Sequence, residues 1–168
     1  KTKVSEISKK FYKGGLLING NKFDILSKKI KKREIVAKYL QHGIILFKNF
    51  ATDPNKFNEF IKNFTLNYSN DAIRRKLRFG NPNLRDVDSG NHQIELHSES
   101  SFTITCPEII WFYCINPPMK NEGGKTKICD GIKLWEELSI ETKKFFLKNP
   151  ITFHNKIKIN NKKNIMNQ

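Results

Sequence analysis

The sequence predicts an α+β fold that is mainly β, and two features of the chain indicate this. Helical apolar periodicity is concentrated in the first half, whereas the second half is dominated by short β-prone segments separated by turns. The 168 residues are 38% hydrophobic, with 13 Phe and only 6 Pro, which is a globular composition with enough apolar residues for a core. We predict one domain over residues 1–168, with a frayed polar tail over residues 160–168.

The first half begins with "FYKGGLLINGNKF", which predicts a short strand pair with Gly and Asn turns. Residues 24–43 predict a helix whose apolar positions Ile30, Val36 and Leu40 recur at helical spacing, and Gly43 predicts its end. "IILFKNF" is apolar on both faces and predicts a buried strand.

Asp53 and Pro54 predict the start of the next helix, with Asp as the N-cap and Pro in the first turn. Four apolar side chains follow at helical spacing, and we assign them to core packing: Phe57, Phe60, Ile61 and Phe64. Residues 69–91 are polar and contain two glycines and a proline, so they predict a long loop, a kind of segment that often binds ligands.

The second half predicts further strands and two helices. Asp130 predicts a helix cap, with Ile132, Trp135 and Leu138 buried on that helix, and Ser139 predicts a second cap. The strands are predicted from four stretches: "IELHSESSF", "EIIWFYCI" (buried on both faces), "KTKICD" and "ITFHNKIKI".

Charge and cysteine content limit the classes of partner. The net charge is +15, but the basic residues are scattered and mostly Lys, without aromatic interleaving or Cys/His finger spacing. We therefore attribute the charge mainly to composition and expect no nucleic-acid partner, while a basic binding module stays open as an alternative. No apolar run is long enough for a bilayer. Three cysteines without a CxxC pair predict reduced thiols and a cytoplasmic protein, with Cys114 in the core.

The stretch "IELHSESSF" carries the strongest candidate site. In a strand, residues two apart share a face, so His97 and Glu99 would project side by side, close enough to chelate one ion, on the face that also carries Gln93 and Glu95. Imidazole with carboxylate suits non-haem Fe(II), whose usual site adds a second, distant histidine. A His-x-Glu pair is common by chance, so a solvated polar strand face is the alternative reading.

The wider context adds a resemblance. The succession "HGIILFKNF", "DPNKFNEFI", "LHSESSF", "IIWFYCINPP" and "EGGKTKICDGIKLWEEL", over roughly residues 30–155, resembles the taurine dioxygenase (TauD/TfdA) family. It is most similar to the branch found in syringomycin-type biosynthetic clusters. The resemblance implies an Fe(II)- and 2-oxoglutarate-dependent oxygenase with a double-stranded β-helix (jelly-roll) core and flanking helices. It also implies O2 and a small or carrier-bound metabolite as the other substrates.

The resemblance also implies roles for particular residues. His97 and Glu99 would be two of three iron ligands, and Thr126, after Gly123 and Gly124, would hydrogen-bond a carboxylate of 2-oxoglutarate. Some members hold substrate with an amide near the position of Gln93. Related halogenases lack a carboxylate at the position of Glu99, so its presence favours hydroxylation.

The sequence departs from the family in two ways. The family's distal histidine, and the arginine that follows it and pairs with 2-oxoglutarate, have no counterpart here, and His154 is not assigned as a ligand. We therefore expect either an incomplete oxygenase domain or a degenerate, non-catalytic homologue, and a zinc hydrolase using the same pair is a third reading. The substrate and the oligomeric state stay open.

Overall fold

The computed structural model describes residues 2–7, 14–69, 75–87, 93–103, 106–124 and 126–154. The chain divides into two compact units, Lys1–Glu137 and Leu138–Gln168. The elements of the first unit are β1 (Lys3–Glu6), β2 (Leu16–Asn19), α1 (Leu26–Lys29), α2 (Lys32–His42), β3 (Ile45–Lys48), α3 (Pro54–Lys62), β4 (Leu77–Arg78), β5 (Asn81–Arg85) and α4 (Gly131–Glu137). The second unit contains α5 (Ile140–Lys148). The predicted α+β class is confirmed, but the described residues contain more helix than strand, so the expectation that the fold is mainly β is not.

A three-stranded sheet anchors the first unit. Its central strand, β2, pairs antiparallel with β1 and parallel with β3, and α1 and α2 form the crossover that a parallel pair requires. Leu16 and Ile18 on β2 are 4% and 1% exposed and form the base of the core. The strand predicted in "LLIN" is therefore confirmed, although its partners are β1 and β3 rather than a neighbouring hairpin strand.

The predicted helix over residues 24–43 is two helices, because the backbone is extended at Ile30 and Lys31. Leu26 and Ile35 are both buried, yet nine residues at about 100° each would place them on opposite sides of one continuous helix. The break lets both side chains enter the core. Consequently Val36 and Leu40, predicted on the buried face, are 37% and 70% exposed.

Two predicted helix ends are confirmed. Gly43 takes a left-handed conformation with φ 69°, and its N–H donates to the carbonyl of Tyr39. At the start of α3, the Asp53 carboxylate accepts from the Lys56 N–H at 2.9 Å, with Pro54 in the first turn. That hydrogen bond, together with the Lys56 ammonium, lowers the pKa of Asp53 below its ordinary value.

This cap predicts a pH-dependent contribution to stability. A carboxyl with a depressed pKa in the folded state stabilises the protein above its unfolded pKa, and the contribution is lost as pH falls through the folded pKa. Asp53→Asn should keep the cap without the charge, so wild type should be the more stable at pH 7. The difference should begin to shrink at about pH 4, the unfolded pKa of Asp, and disappear only as the pH falls through the lower folded pKa. Thermal melts from pH 3 to pH 7 measure this, and a constant difference would contradict it.

Helix α3 carries the aromatic core that the sequence predicts. Phe60 is 2% exposed and meets Phe47 and Trp111 edge to face, with ring centroids 5.6 and 5.8 Å apart. Phe64 packs at 5.0 Å from Phe60, and Ile61 is also buried. The predicted packing role of this apolar stripe is confirmed.

Two first-half predictions are wrong. Strand β3 was expected to be buried on both faces, but its burial alternates: Ile45 and Phe47 pack against the core, whereas Leu46 on the other face is 46% exposed. The expected long loop over residues 69–91 contains the β4–β5 hairpin, turned at Phe79 and Gly80 with positive φ. The Arg78 guanidinium pairs with Asp86 across it and lowers the pKa of that carboxyl.

In the described residues after β5, the predicted strands do not form ladders. Residues 93–98 and 106–119 have no regular secondary structure, and Ile94 and Leu96 are 50% and 63% exposed. Alternating apolar residues indicate which face of a strand can be buried. A strand in a sheet also needs a neighbouring strand for its backbone hydrogen bonds, and the alternation does not provide one. The two stacked sheets of a jelly roll are therefore not formed by the described part of the chain.

The segment "EIIWFYCI", expected to be buried on both faces, is packed on one. Trp111 lies against Phe60 and Phe64, and Tyr113 stacks on Phe57 with centroids 5.0 Å apart. Its other face is open: Ile110 and Phe112 are 47% and 59% exposed, and Cys114, expected in the core, is exposed.

The two later helix caps are confirmed, but the expected burial on α4 is not. Asp130 accepts from the N–H groups of Ile132 and Lys133, and Ser139 accepts from that of Thr142. Ile132 and Trp135 are nevertheless 62% and 40% exposed. The 160–168 tail lies outside the described residues. In the part that is described, no helix has the length and apolarity to span a membrane.

Candidate functional site

His97 has a defined orientation and tautomer. Its Nδ1 lies 2.7 Å from the carbonyl oxygen of Glu95. A carbonyl can only accept, so Nδ1–H is the donor and, in the neutral ring, Nε2 carries the free lone pair. In a sheet the Glu95 carbonyl would bond to a neighbouring strand, whereas here the imidazole takes that place. This Nδ1–H to carbonyl bond is the usual support of a metal-binding histidine.

Glu99 presents its two oxygens to different partners. Oε2 lies 3.6 Å from Nε2 of His97, and Oε1 lies 3.5 Å from Nη2 of Arg75. The His97 side chain is 55% exposed and that of Glu99 is 33% exposed, so the pair is open to solvent on the histidine side. The structure therefore brings together the two residues that the sequence predicts as ligands.

A compact turn follows the pair and fixes the backbone of Glu99. Ser100 is 5% exposed with φ 53°, and its carbonyl accepts from both the N–H and the hydroxyl of Thr103 at 2.9 Å. The Cys106 thiol donates to the Glu99 carbonyl at 3.3 Å. His97 and Glu99 are thus placed by an extended stretch running into a turn, rather than by a strand.

The donor set fits one divalent metal ion. With metal–ligand bonds of about 2.1 Å, adjacent ligands at right angles lie about 3 Å apart, so a separation of 3.6 Å needs only a small side-chain adjustment. In the neutral ring Nε2 and Oε2 are both acceptors, which repel each other unless a proton or a cation lies between them. Imidazole and carboxylate together suit Fe(II). Over the described residues, however, no three His, Cys, Asp or Glu side chains are grouped to hold a metal.

The other predicted site residues are not joined to this pair by hydrogen bonds within the described chain. The Gln93 side chain donates to Oε1 of Glu95 at 2.6 Å. Thr126 is exposed and follows Gly123 and Gly124, both with positive φ; a Cβ on Gly124 would lie 3.2 Å from the Pro118 ring. His154 lies in the second unit, after α5.

Two contacts of Glu99 were not predicted from the sequence. Arg75 is 24 residues before Glu99, in the segment expected to be a loop, and Cys106 is seven residues after it. No periodicity links such positions, since their approach depends on how the hairpin and the turn fold. The sequence shows the cluster of basic residues in "IRRKLR", but nothing in it indicates that Arg75 pairs with Glu99.

Comparison with known proteins gives one positive finding. The family model described as "Taurine catabolism dioxygenase TauD, TfdA family" matches residues 4–163 of the chain. The match spans both compact units and includes all four predicted site residues. The comparisons with curated proteins and with solved structures returned no significant match.

Proposed function

The chain belongs to the TauD, TfdA family of dioxygenases, and from this premise we propose that it is a hydroxylase-type oxygenase acting on a small or carrier-bound metabolite. Membership implies, in general terms, Fe(II) and 2-oxoglutarate dependence, O2 as co-substrate and a double-stranded β-helix fold. Because the match covers residues 4–163, we also propose that both compact units belong to one dioxygenase domain.

One observation supports His97 and Glu99 as the residues that bind the iron. Nε2 of His97 and Oε2 of Glu99 face each other at 3.6 Å, while Nδ1–H is held by the Glu95 carbonyl. A solvated polar surface requires neither the fixed ring orientation nor the close approach of Nε2 to Oε2. Both features suit a metal-binding pair, so we propose His97 and Glu99 as two of the iron ligands.

Other side chains of the protein would bind 2-oxoglutarate and the substrate. Iron with 2-oxoglutarate supplies the oxidative chemistry, in which 2-oxoglutarate is converted to succinate and CO2 and O2 is activated toward a C–H bond. We propose that the Thr126 hydroxyl donates to a carboxylate of 2-oxoglutarate and that the Gln93 amide helps to hold substrate. This role is supported by Gly123 and Gly124, which precede Thr126 in the sequence and both have positive φ, because a glycine backbone lets a ligand approach closely.

The carboxylate at position 99 supports hydroxylation as the reaction type. A carboxylate that binds the metal fills the position at which a halide would otherwise bind. Arg75 pairs with the other oxygen of Glu99, which leaves Oε2 on the side of His97 and supports the same assignment.

The proposal is tested by metal binding and co-substrate turnover. Purified, metal-free chain should bind close to one Fe(II) under anaerobic conditions. On addition of 2-oxoglutarate and O2, it should release succinate above the level of the metal-free protein. Zinc in the protein as isolated, together with hydrolytic activity, would indicate the hydrolase reading instead. Failure to bind Fe(II) at micromolar concentration would contradict the oxygenase proposal.

A non-catalytic homologue is the second candidate, and one observation favours it. Among the described residues only two ligands, His97 and Glu99, come together. Such a protein would bind metal or 2-oxoglutarate weakly and release no succinate, and the +15 charge would then favour an anionic partner. Binding to nucleic acid that falls steeply with salt would support this candidate.

A further inference from the structure

Arg75 makes a contact that the proposed iron site does not account for. Its Nη2 lies 3.5 Å from Oε1 of Glu99, the oxygen turned away from His97. The side chains of Arg75 and Glu99 are 30% and 33% exposed, so the pair is more sheltered than a surface ion pair and less screened by solvent. Arginine keeps its charge at any pH at which the protein folds, so the Arg75 guanidinium can pair with a Glu99 carboxylate with or without a metal.

The hairpin before the site holds Arg75 in place. Arg85, the last residue of β5, donates from Nη1 to the Arg75 carbonyl at 3.1 Å. Leu77 pairs with Arg85 across the hairpin, and the Asp86 N–H donates to the Lys76 carbonyl at 3.0 Å. The backbone at residue 75 is thus fixed by the strand pair that follows it.

Resting on the proposed function, we infer that Arg75 is a positioning residue for the metal ligand Glu99. It engages Oε1 and so leaves Oε2 directed at Nε2 of His97, which favours one oxygen for the metal over both. The same contact gives the Glu99 side chain a fixed partner when no metal is bound, which limits the positions that its carboxylate can take. Partners of metal ligands commonly act in this way.

The opposite effect is physically possible and makes the inference testable. A guanidinium beside a metal ligand repels the incoming cation, so if charge repulsion dominated, removing Arg75 would tighten metal binding. If orientation dominates, as we infer, removal weakens binding and changes the coordination geometry.

The experiment uses Co(II) as a spectroscopic probe on the whole chain, with wild type, Arg75→Ala, Arg75→Lys and Arg78→Ala. Arg78 is the matched control, because it lies in the same hairpin but pairs with Asp86. We expect Arg75→Ala to lower Co(II) affinity about tenfold and to alter the visible d–d absorption at saturating metal. Arg75→Lys should lie between Arg75→Ala and wild type, and Arg78→Ala should match wild type.

The outcomes separate the two proposals. Circular dichroism melts first establish that each variant is folded. If His97→Ala binds Co(II) as well as wild type does, the proposed site fails and the role of Arg75 fails with it. If His97→Ala loses binding while Arg75→Ala keeps wild-type affinity and spectrum, or binds more tightly, the proposed site stands and the role of Arg75 is overturned.

Discussion

Replacing His97 by alanine is expected to abolish metal binding at the proposed site and, with it, release of succinate from 2-oxoglutarate. His97 supplies the lone pair of Nε2, and its Nδ1–H is held by the Glu95 carbonyl, so the substitution removes both the proposed ligand and the bond that orients it. Loss of a direct ligand should exceed the 10–100-fold effect that is typical of outer-shell changes, so we expect Fe(II) affinity to fall by more than about 100-fold. Anaerobic titration with Fe(II), followed by a succinate assay, measures both effects.

His42→Ala is the control for removing an imidazole. His42 lies in the last turn of α2 and is not one of the proposed ligands. The variant should keep wild-type Fe(II) affinity and succinate release. Equal Fe(II) affinity in wild type and His97→Ala would remove His97 from the site, whatever the effect on stability.

Phe60→Ala is expected to have the largest effect on folding. The ring is 2% exposed and contacts Phe47 from β3, Phe64 from the turn after α3 and Trp111 from the extended segment. Truncating a buried Phe to Ala removes about 3–5 kcal/mol from the free energy of unfolding. That is a large share of the total for a domain of this size. Urea denaturation followed by circular dichroism measures the change.

Phe23→Ala is the matched control, because that ring is 87% exposed in the turn before α1. The same chemical change there should alter the free energy of unfolding by less than about 0.5 kcal/mol. If the two variants unfold at the same urea concentration, the aromatic cluster around Phe60 is not the core of the protein. Wild-type tryptophan fluorescence should change on unfolding, because Trp111 packs against Phe60 in the folded protein. If that change is missing in Phe60→Ala, the extended segment that carries Trp111 has detached from the core.

Local features of the structure were largely predictable from the sequence. Asp53, Ser139 and Gly43 mark helix ends because a side-chain acceptor or a left-handed residue satisfies terminal backbone groups within a few positions. The pairing of His97 with Glu99 was likewise predictable, since the two residues are only two positions apart. Interactions of this range depend on neighbouring residues alone, and pattern and spacing describe them well.

Features that depend on distant partners were not predictable. "EIIWFYCI" has the composition of a doubly buried strand, yet only Trp111 and Tyr113 pack, because burial requires a surface on each side. The break between α1 and α2 follows from the need to bury both Leu26 and Ile35, which no helical pattern expresses. Apolar periodicity indicates which face can be buried, while the rest of the fold decides whether it is.

The sequence by itself determined the α+β class, the helix ends at Gly43, Asp53, Asp130 and Ser139, the His97–Glu99 pair and the family. Only the tertiary structure decided how that pair is held: an imidazole fixed by its own backbone, and a carboxylate shared between His97 and Arg75. The physical reason is the separation along the chain of the residues that interact. A helix cap and a His-x-Glu pair are formed by residues a few positions apart. The contact from Arg75 spans 24 positions and exists only because the β4–β5 hairpin folds beside the turn that carries Glu99.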